Sequence, residues 1–175
     1  VKGIAWKWQA ADGTQTKAPL GGEKTGPNPT DRGKSGTKRS LLVDERGVPL
    51  AIVVGGANTP DQSLLAETLA ERQVAPPADT LENLCLDKGY DYPIVRELCV
   101  LFGFTAHIRP RGEEAKDIKR KRGHKARRWV VERTHSWLNR FRRLLIRWEK
   151  DDLYHLDLLH FACGIIAFQQ SGLFG

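Results

Sequence analysis

RWVVERTHSWLNRFRRLLIRW, Arg128 to Trp148, carries the longest helical period in the chain. At 100° per residue, Val130, Thr134, Trp137, Phe141, Leu144 and Trp148 fall on one stripe, with Val131, Leu138 and Leu145 along its margin. The spacing therefore predicts a core-packed helix over 128–148, about six turns long. Glu132 points away from that stripe, towards the side that carries Arg128, Ser136, Asn139 and Arg143. It is the only acidic residue between Asp117 and Glu149. Alone, it reads either as half of an ordinary i, i+4 ion pair or as a metal-binding carboxylate on a surface built for phosphates. The second reading requires carboxylate partners elsewhere.

With 175 residues, 40% of them apolar, and five tryptophans, the chain is long enough for one domain with a real core. Its charge is unevenly placed. Arg109 to Lys150 holds 16 of the 28 Lys and Arg and five acidic residues, a net +11, which leaves −4 for the remainder. Such a block points to a polyanion, and to nucleic acid before a membrane because Trp, His and Asn interleave with the arginines. A solvated basic helix is the plain alternative. Cys85, Cys99 and Cys163 are widely spaced and odd in number, as reduced core thiols of a cytosolic protein are. No CxxC or HxxxH pair supports zinc, although Cys85, Cys99 and His107 could approach one another. The sequence has no signal peptide and no apolar run of about 20 residues, so no membrane span is expected. Starting at Val1 and without Met, the chain is expected to be a fragment or the second reading frame of a longer product.

From Ile4 the residues alternate, which predicts a strand with Asp12 on the face of Trp6 and Trp8. A carboxylate at the end of an apolar face is costly unless paired or bound to a metal. The alternative is that Asp12-Gly13 is itself a turn. Gly21 to Lys38, rich in Gly, Pro and Thr, reads as an extended loop whose Lys24, Arg32, Lys34 and Lys38 could touch a nucleic-acid backbone. It has no Walker pattern. Arg39 to Val43 and Pro49 to Val54 read as a hairpin, with Asp44 forming its turn. Thr59-Pro60-Asp61-Gln62 opens a helix with Leu64, Leu65, Thr68 and Leu69 at helical spacing, and Asp61 reads as a first-turn acid. Leu84-Cys85-Leu86 looks like a buried parallel strand with Asp87 at its carboxyl end, where open α/β sheets collect ligands; a turn opened by Asp87 towards Gly89 is the alternative. Pro93 to Phe102 reads as a helix and Thr105 to Ile108 as a strand. The basic segment 109–127 has no apolar period and reads as mobile or ordered by its partner. His107, His124 and His135 read as surface or phosphate-contacting groups. A last helix over 153–170 carries Leu156, Leu159, His160, Cys163, Ile166 and Ala167.

The chain resembles the DDE transposases of bacterial insertion sequences, the IS-five-like group of the IS-four-like superfamily. DGTQTKAP (Asp12 to Pro19), GPNPTDRGKSGTK (Gly26 to Lys38), LDKGYD (Leu86 to Asp91) and RWVVERTHSWLNRFRRL (Arg128 to Leu144) carry the resemblance, four blocks in the right order over nearly the whole length. It implies an RNase H-like α/β core, a mixed sheet flanked by helices and followed by C-terminal helices. It also implies Asp12, Asp87 and Glu132 as a catalytic triad that holds Mg²⁺ or Mn²⁺, as hard oxygen donors suit. The implied reaction is metal-dependent strand cleavage at transposon ends and strand transfer into target DNA. Arg32, Lys34, Lys38, Lys88, Arg128, Arg140 and Arg143 are the implied contacts to double-stranded DNA, with Trp129 or His135 stacking on an unpaired base. Arg128 matches the signature arginine four residues before the glutamate. The tyrosine expected three before it is Lys125, and the basic residue expected seven after Glu132 is Asn139, so Arg140 or Arg143 would have to serve. A separate N-terminal DNA-binding region is not evident. The family further implies a homodimer in a synaptic complex, an upstream-frame product supplying end recognition, and action at the nucleoid in the bacterial cytoplasm. A non-catalytic DNA-binding remnant and a host nuclease of the same fold are the rival readings.

Overall fold

The computed structural model describes residues 3–108 and 127–173. Strand β1, Trp8–Lys17, is its axis. On one side β1 pairs antiparallel with β3, Ser35–Asp44, in an unbroken register from Gln9↔Asp44 to Lys17↔Gly36. On the other it pairs parallel with β5, Glu82–Leu86, from Trp8↔Asn83 to Ala10↔Cys85. Strand β4, Pro49–Gly56, and the two-residue β2, Gly26–Pro27, pair antiparallel with β3, and β6, Phe104–Ile108, extends the sheet parallel to β5. Helices α1 (Asp61–Ala70), α2 (Pro93–Leu101), α3 (Trp129–Leu138) and α4 (Asp152–Gln170) complete the order. This mixed six-stranded sheet between helices is an RNase H-like α/β fold.

Alternation along the strands divides the core into two layers, because successive side chains leave a strand on opposite faces. Ala10, Leu41, Val43, Ile52, Val54 and Cys85 meet Val130, Val131 and Leu138 of α3 and Leu159, Cys163 and Ile166 of α4. Ala11, Leu42, Leu50, Leu84 and Leu86 meet Leu65 and Leu69 of α1 and Val95 and Cys99 of α2. All three cysteines are buried in the core. Trp8 packs on the first layer and Trp6 on the second. Asp12 therefore shares its face with Trp8 and Ala10 but not with Trp6, which precedes the strand.

The helix expected over 128–148 is a correction. It ends at Leu138, turns at Asn139 and Arg140, and continues as a 3-10 turn, Arg142–Leu144, and a strap. Long-range bonds end it. Arg39 on β3 donates from Nη2 to Asn139 Oδ1, while Ile146 forms a bridge to Lys17 and the Arg147 amide donates to the Lys17 carbonyl. Val131 and Leu138, expected at the margin, are fully buried, whereas Leu145 and Trp148 are largely exposed. The hairpin turn positions α3: Thr134 Oγ1 donates to the Gly47 carbonyl at 3.0 Å and Arg133 to the Arg46 carbonyl. Gly47 has φ +87°, and a Cβ there would lie 2.7 Å from Thr134 Oγ1, so glycine alone suits this approach. Asp44 is the turn former expected, buried and accepting from the amides of Ala5, Arg46 and Val48. The basic segment over 109–126, with His124 in it, lies outside the described residues.

Candidate active site

Two strands leave each other at the site. Pairing of β1 with β5 stops at Ala10↔Cys85, and carrying the same register two residues further sets Asp12 opposite Asp87. Directly opposed residues of a parallel pair point to one face, so that register, if carried on, would put both carboxylates on the α3 side of the sheet, Asp12 in the middle of β1 and Asp87 just past the carboxyl end of β5, where α/β sheets open a crevice. β1 runs straight through Asp12 and Gly13, which removes the turn reading of that pair. Beyond Ala10, the β5 side of β1 meets no strand among the described residues until the bridge at Lys17, and Asp12 lies in this gap. Asp87 satisfies both of its readings. It ends the strand, and its carboxylate accepts from the Lys88 amide at 2.7 Å to cap the 3-10 turn Lys88–Tyr90.

Glu132 reaches this crevice from α3. It is half-exposed and ion-paired with Arg128 one turn earlier. Arg128 draws the Asp12 carboxyl towards ionisation while Asp61 and Glu132 oppose it, so the guanidinium stands within the field of both acids. Burial outweighs these effects and pushes Asp12 up to about 6, against the hydrogen bond from the Gly13 amide. Between the unfolded value near 4 and the folded one near 6, the folded chain holds a proton that the unfolded chain releases. Stability from this group is therefore lost as pH rises through that window. In EDTA, Asp12→Asn should raise stability at pH 7 by on the order of 1 kcal/mol, discounted for partial exposure, and change nothing below pH 4. Denaturation midpoints across pH 4–8 test this; an Asn variant less stable at every pH would refute it.

The histidines depart from expectation. His135 is buried, its Nε2 lies 3.3 Å from the Asp12 carbonyl, and burial with the nearby Arg39 drives it down to about 3. It is a neutral wall of the site and not a surface group. His107 Nε2 pairs with Asn83 Oδ1 at 2.9 Å and its ring packs on Trp8. Trp129 is half-buried under the Arg133 guanidinium.

The expected DNA contacts divide by exposure. Arg32 and Lys34 project from a loop organised by buried Asn28, whose Oδ1 accepts from the Thr30 amide and hydroxyl. Lys88 and Arg140 are exposed too. Arg143 is exposed but paired with Glu149, and the Arg128 side chain is mostly covered. Lys38 is a correction. β3 begins at Ser35, so Lys38 is a buried strand residue whose Nζ donates to the Thr59 carbonyl at 2.6 Å and lies 2.9 Å from Asp61 Oδ1. Asn139, where the family signature has its second basic residue, accepts from buried Arg39.

A family model described as a transposase DDE domain matches residues 9–163, which span Asp12, Asp87 and Glu132. The chain belongs to this family. The transposase is also 37% identical, over 160 residues, to a Burkholderia cepacia protein assigned as a transposase for insertion sequence element IS402, a match covering 85% of this chain and 70% of that protein. These matches support the insertion-sequence transposase reading over its rivals. No helix among the described residues of the transposase is long and apolar enough to cross a membrane. Among them, the only three acidic ligand atoms within 4.8 Å of one another belong to Glu23, Asp151 and Asp152, at the start of α4. Asp12, Asp87 and Glu132 form a wider group.

Proposed function

We propose that Asp12, Asp87 and Glu132 bind Mg²⁺ or Mn²⁺ and catalyse cleavage of DNA strands at transposon ends and their transfer into target DNA. The β1–β5 register supports this reading, because extended two residues it would bring Asp12 level with Asp87, and Glu132 on α3 acts electrostatically on Asp12. The donor set fits a hard divalent cation: three carboxylates without a thiolate, one of them desolvated, and a guanidinium standing between two of them. Bound there, such cations activate the attacking oxygen and stabilise the leaving one in an in-line displacement. Asp12 would supply a donor from the middle of β1 and Asp87 one from the end of β5, and Glu132 would join them once released from Arg128, which would then face the DNA phosphates. Arg32, Lys34, Lys88 and Arg140 hold the DNA backbone without reading sequence. The family resemblance supports a synaptic homodimer, end recognition by an upstream-frame product, and action in the bacterial nucleoid.

The test is incubation of the chain with labelled duplexes from the two ends of its element, in Mg²⁺, in Mn²⁺ and in EDTA. Metal-dependent nicking followed by joining to a plasmid supports the transposase mechanism. Hydrolysis without joining of a preformed 3′-hydroxyl end would mark a nuclease, and salt-dependent binding with neither reaction would mark a DNA-binding remnant.

A further inference from the structure

Asp61 opens α1 on the sheet face opposite to Asp12, a position in which an acid ordinarily serves only the helix dipole. Three observations give it another place. Its Oδ1 lies across Gly13, so close that a Cβ built on that residue would sit 2.5 Å away. The missing side chain lets a carboxylate from α1 pack against the β1 backbone next to Asp12. Second, the carboxylate is held: Lys38 Nζ, itself buried and anchored to the Thr59 carbonyl, lies 2.9 Å from the same oxygen. A buried lysine spent on a half-exposed aspartate fixes that aspartate's direction. Third, Tyr90 is buried with a hydroxyl that has no partner among the described residues, and that hydroxyl stands in the combined field of Asp61, Asp12 and Asp87. A buried O–H with no partner among the described residues, within electrostatic reach of three acids, is a group that a polar ligand or ordered water would satisfy.

We propose that Asp61 is a fourth carboxylate of the metal site, a positioning residue that accepts hydrogen bonds from the cation's coordinated water and is aimed by Lys38 across Gly13. The inference rests on the reading of Asp12 and Asp87 as metal ligands. Mg²⁺ and Mn²⁺ retain water when bound by few carboxylates, and groups that orient those waters change affinity by about 10- to 100-fold. Direct coordination is not required, which agrees with the wider spacing of the acids.

The experiment is Mn²⁺ titration of the intact chain by calorimetry, without DNA, with Glu23→Gln as the background that weakens the exterior acidic group. In this background Asp61→Asn, which keeps an acceptor for Lys38 but not its countercharge, should raise the Mn²⁺ Kd about tenfold, with circular dichroism showing that the metal-free chain, though less stable, remains folded at the titration temperature. Gly13→Ala, which leaves the charge but displaces the carboxylate, should weaken binding similarly. Unchanged Mn²⁺ affinity in Asp61→Asn, with binding lost in Asp12→Asn, overturns the role of Asp61 alone. Unchanged affinity in Asp12→Asn and Asp87→Asn overturns the ligand reading beneath it.

Discussion

Asp87→Asn should lower strand cleavage and joining by on the order of 10³-fold or more while leaving the fold and DNA affinity as they are. Asp87 is the cleanest of the three acids to change, because its structural duty and its proposed chemical one separate. The structural duty is to accept from the Lys88 amide, and an asparagine oxygen caps a turn as well as a carboxylate oxygen does. What Asn cannot supply is the negative charge just past the carboxyl end of β5. Glu132→Gln is the companion change, since a glutamine oxygen can still accept from Arg128. If both residues act on one pair of cations, the double variant should be scarcely worse than either single one, because groups that act as a unit fail together. DNA binding should not follow, as it rests on arginines and lysines elsewhere; loss of one neutralised phosphate contact would appear as a shallower salt dependence. Gel retardation over a salt series beside a strand-transfer assay reads both. An Asp87→Asn chain that still joins ends at a tenth of the normal rate would remove Asp87 from the chemistry.

Elements whose cause is local were legible in the sequence. The β3–β4 hairpin follows from a turn sequence between two apolar runs, α1 from a stripe of Leu64, Leu65, Thr68 and Leu69, and α2 from a proline at its start and a glycine with φ +79° past its end. Of the candidate site, Asp12 and Asp87 stood out in the sequence because each acid interrupts or ends the apolar pattern of its strand. Three features were hidden for one reason: their cause lies far away in the chain. The period of α3 continues through Phe141 and Leu144, so nothing local announces the break that Arg39 and Lys17 impose from 100 residues away or more. Lys38 looks like part of a polar loop until the register pairs it with Gln15 and Gly55 inside the sheet. Asp61 looks like any first-turn acid, and only the meeting of α1 with Gly13 gives it a second role. His135 was misread because one polar residue beside an apolar stripe does not reveal that a strand carbonyl waits for it.

Two buried arginines on the α3–α4 side of the sheet should answer the same substitution in opposite ways. Arg147 and Arg39 are both almost wholly inaccessible. Arg147 is satisfied: it donates to the carbonyls of Glu149 at 2.9 Å and Lys150 at 3.3 Å, reaches Thr37 Oγ1 at 3.2 Å, and stands in the field of Asp152, Glu149, Asp151 and Glu23. Arg147→Met would leave the strap 146–150 without its central donor and the acids at the start of α4 without their cation. The expected loss is about 3–5 kcal/mol, the scale for breaking a buried charge network. Arg39 has one partner, Asn139; its Nε and Nη1 find none among the described residues, and burial lowers its pKa to about 10. Its neighbours His135 and His155 are held neutral, at about 3 and about 4, by burial first, and no carboxylate bonds to it among the described residues. Removing a buried cation whose donors are mostly unmet costs little and can stabilise, so Arg39→Met should change stability by no more than about 1 kcal/mol in either direction. The side chain persists for a different reason, in that it ties β3 to the end of the helix that presents Glu132. Arg39→Met should therefore lower strand transfer more than it lowers stability, with the loss in turnover and not in DNA affinity. Urea midpoints of the two Met variants decide the energetic half, and equal losses in both would show that hydrogen-bond satisfaction does not distinguish these arginines. Strand transfer by a folded Arg39→Met chain decides the other half, and full activity there would confine Arg39 to packing.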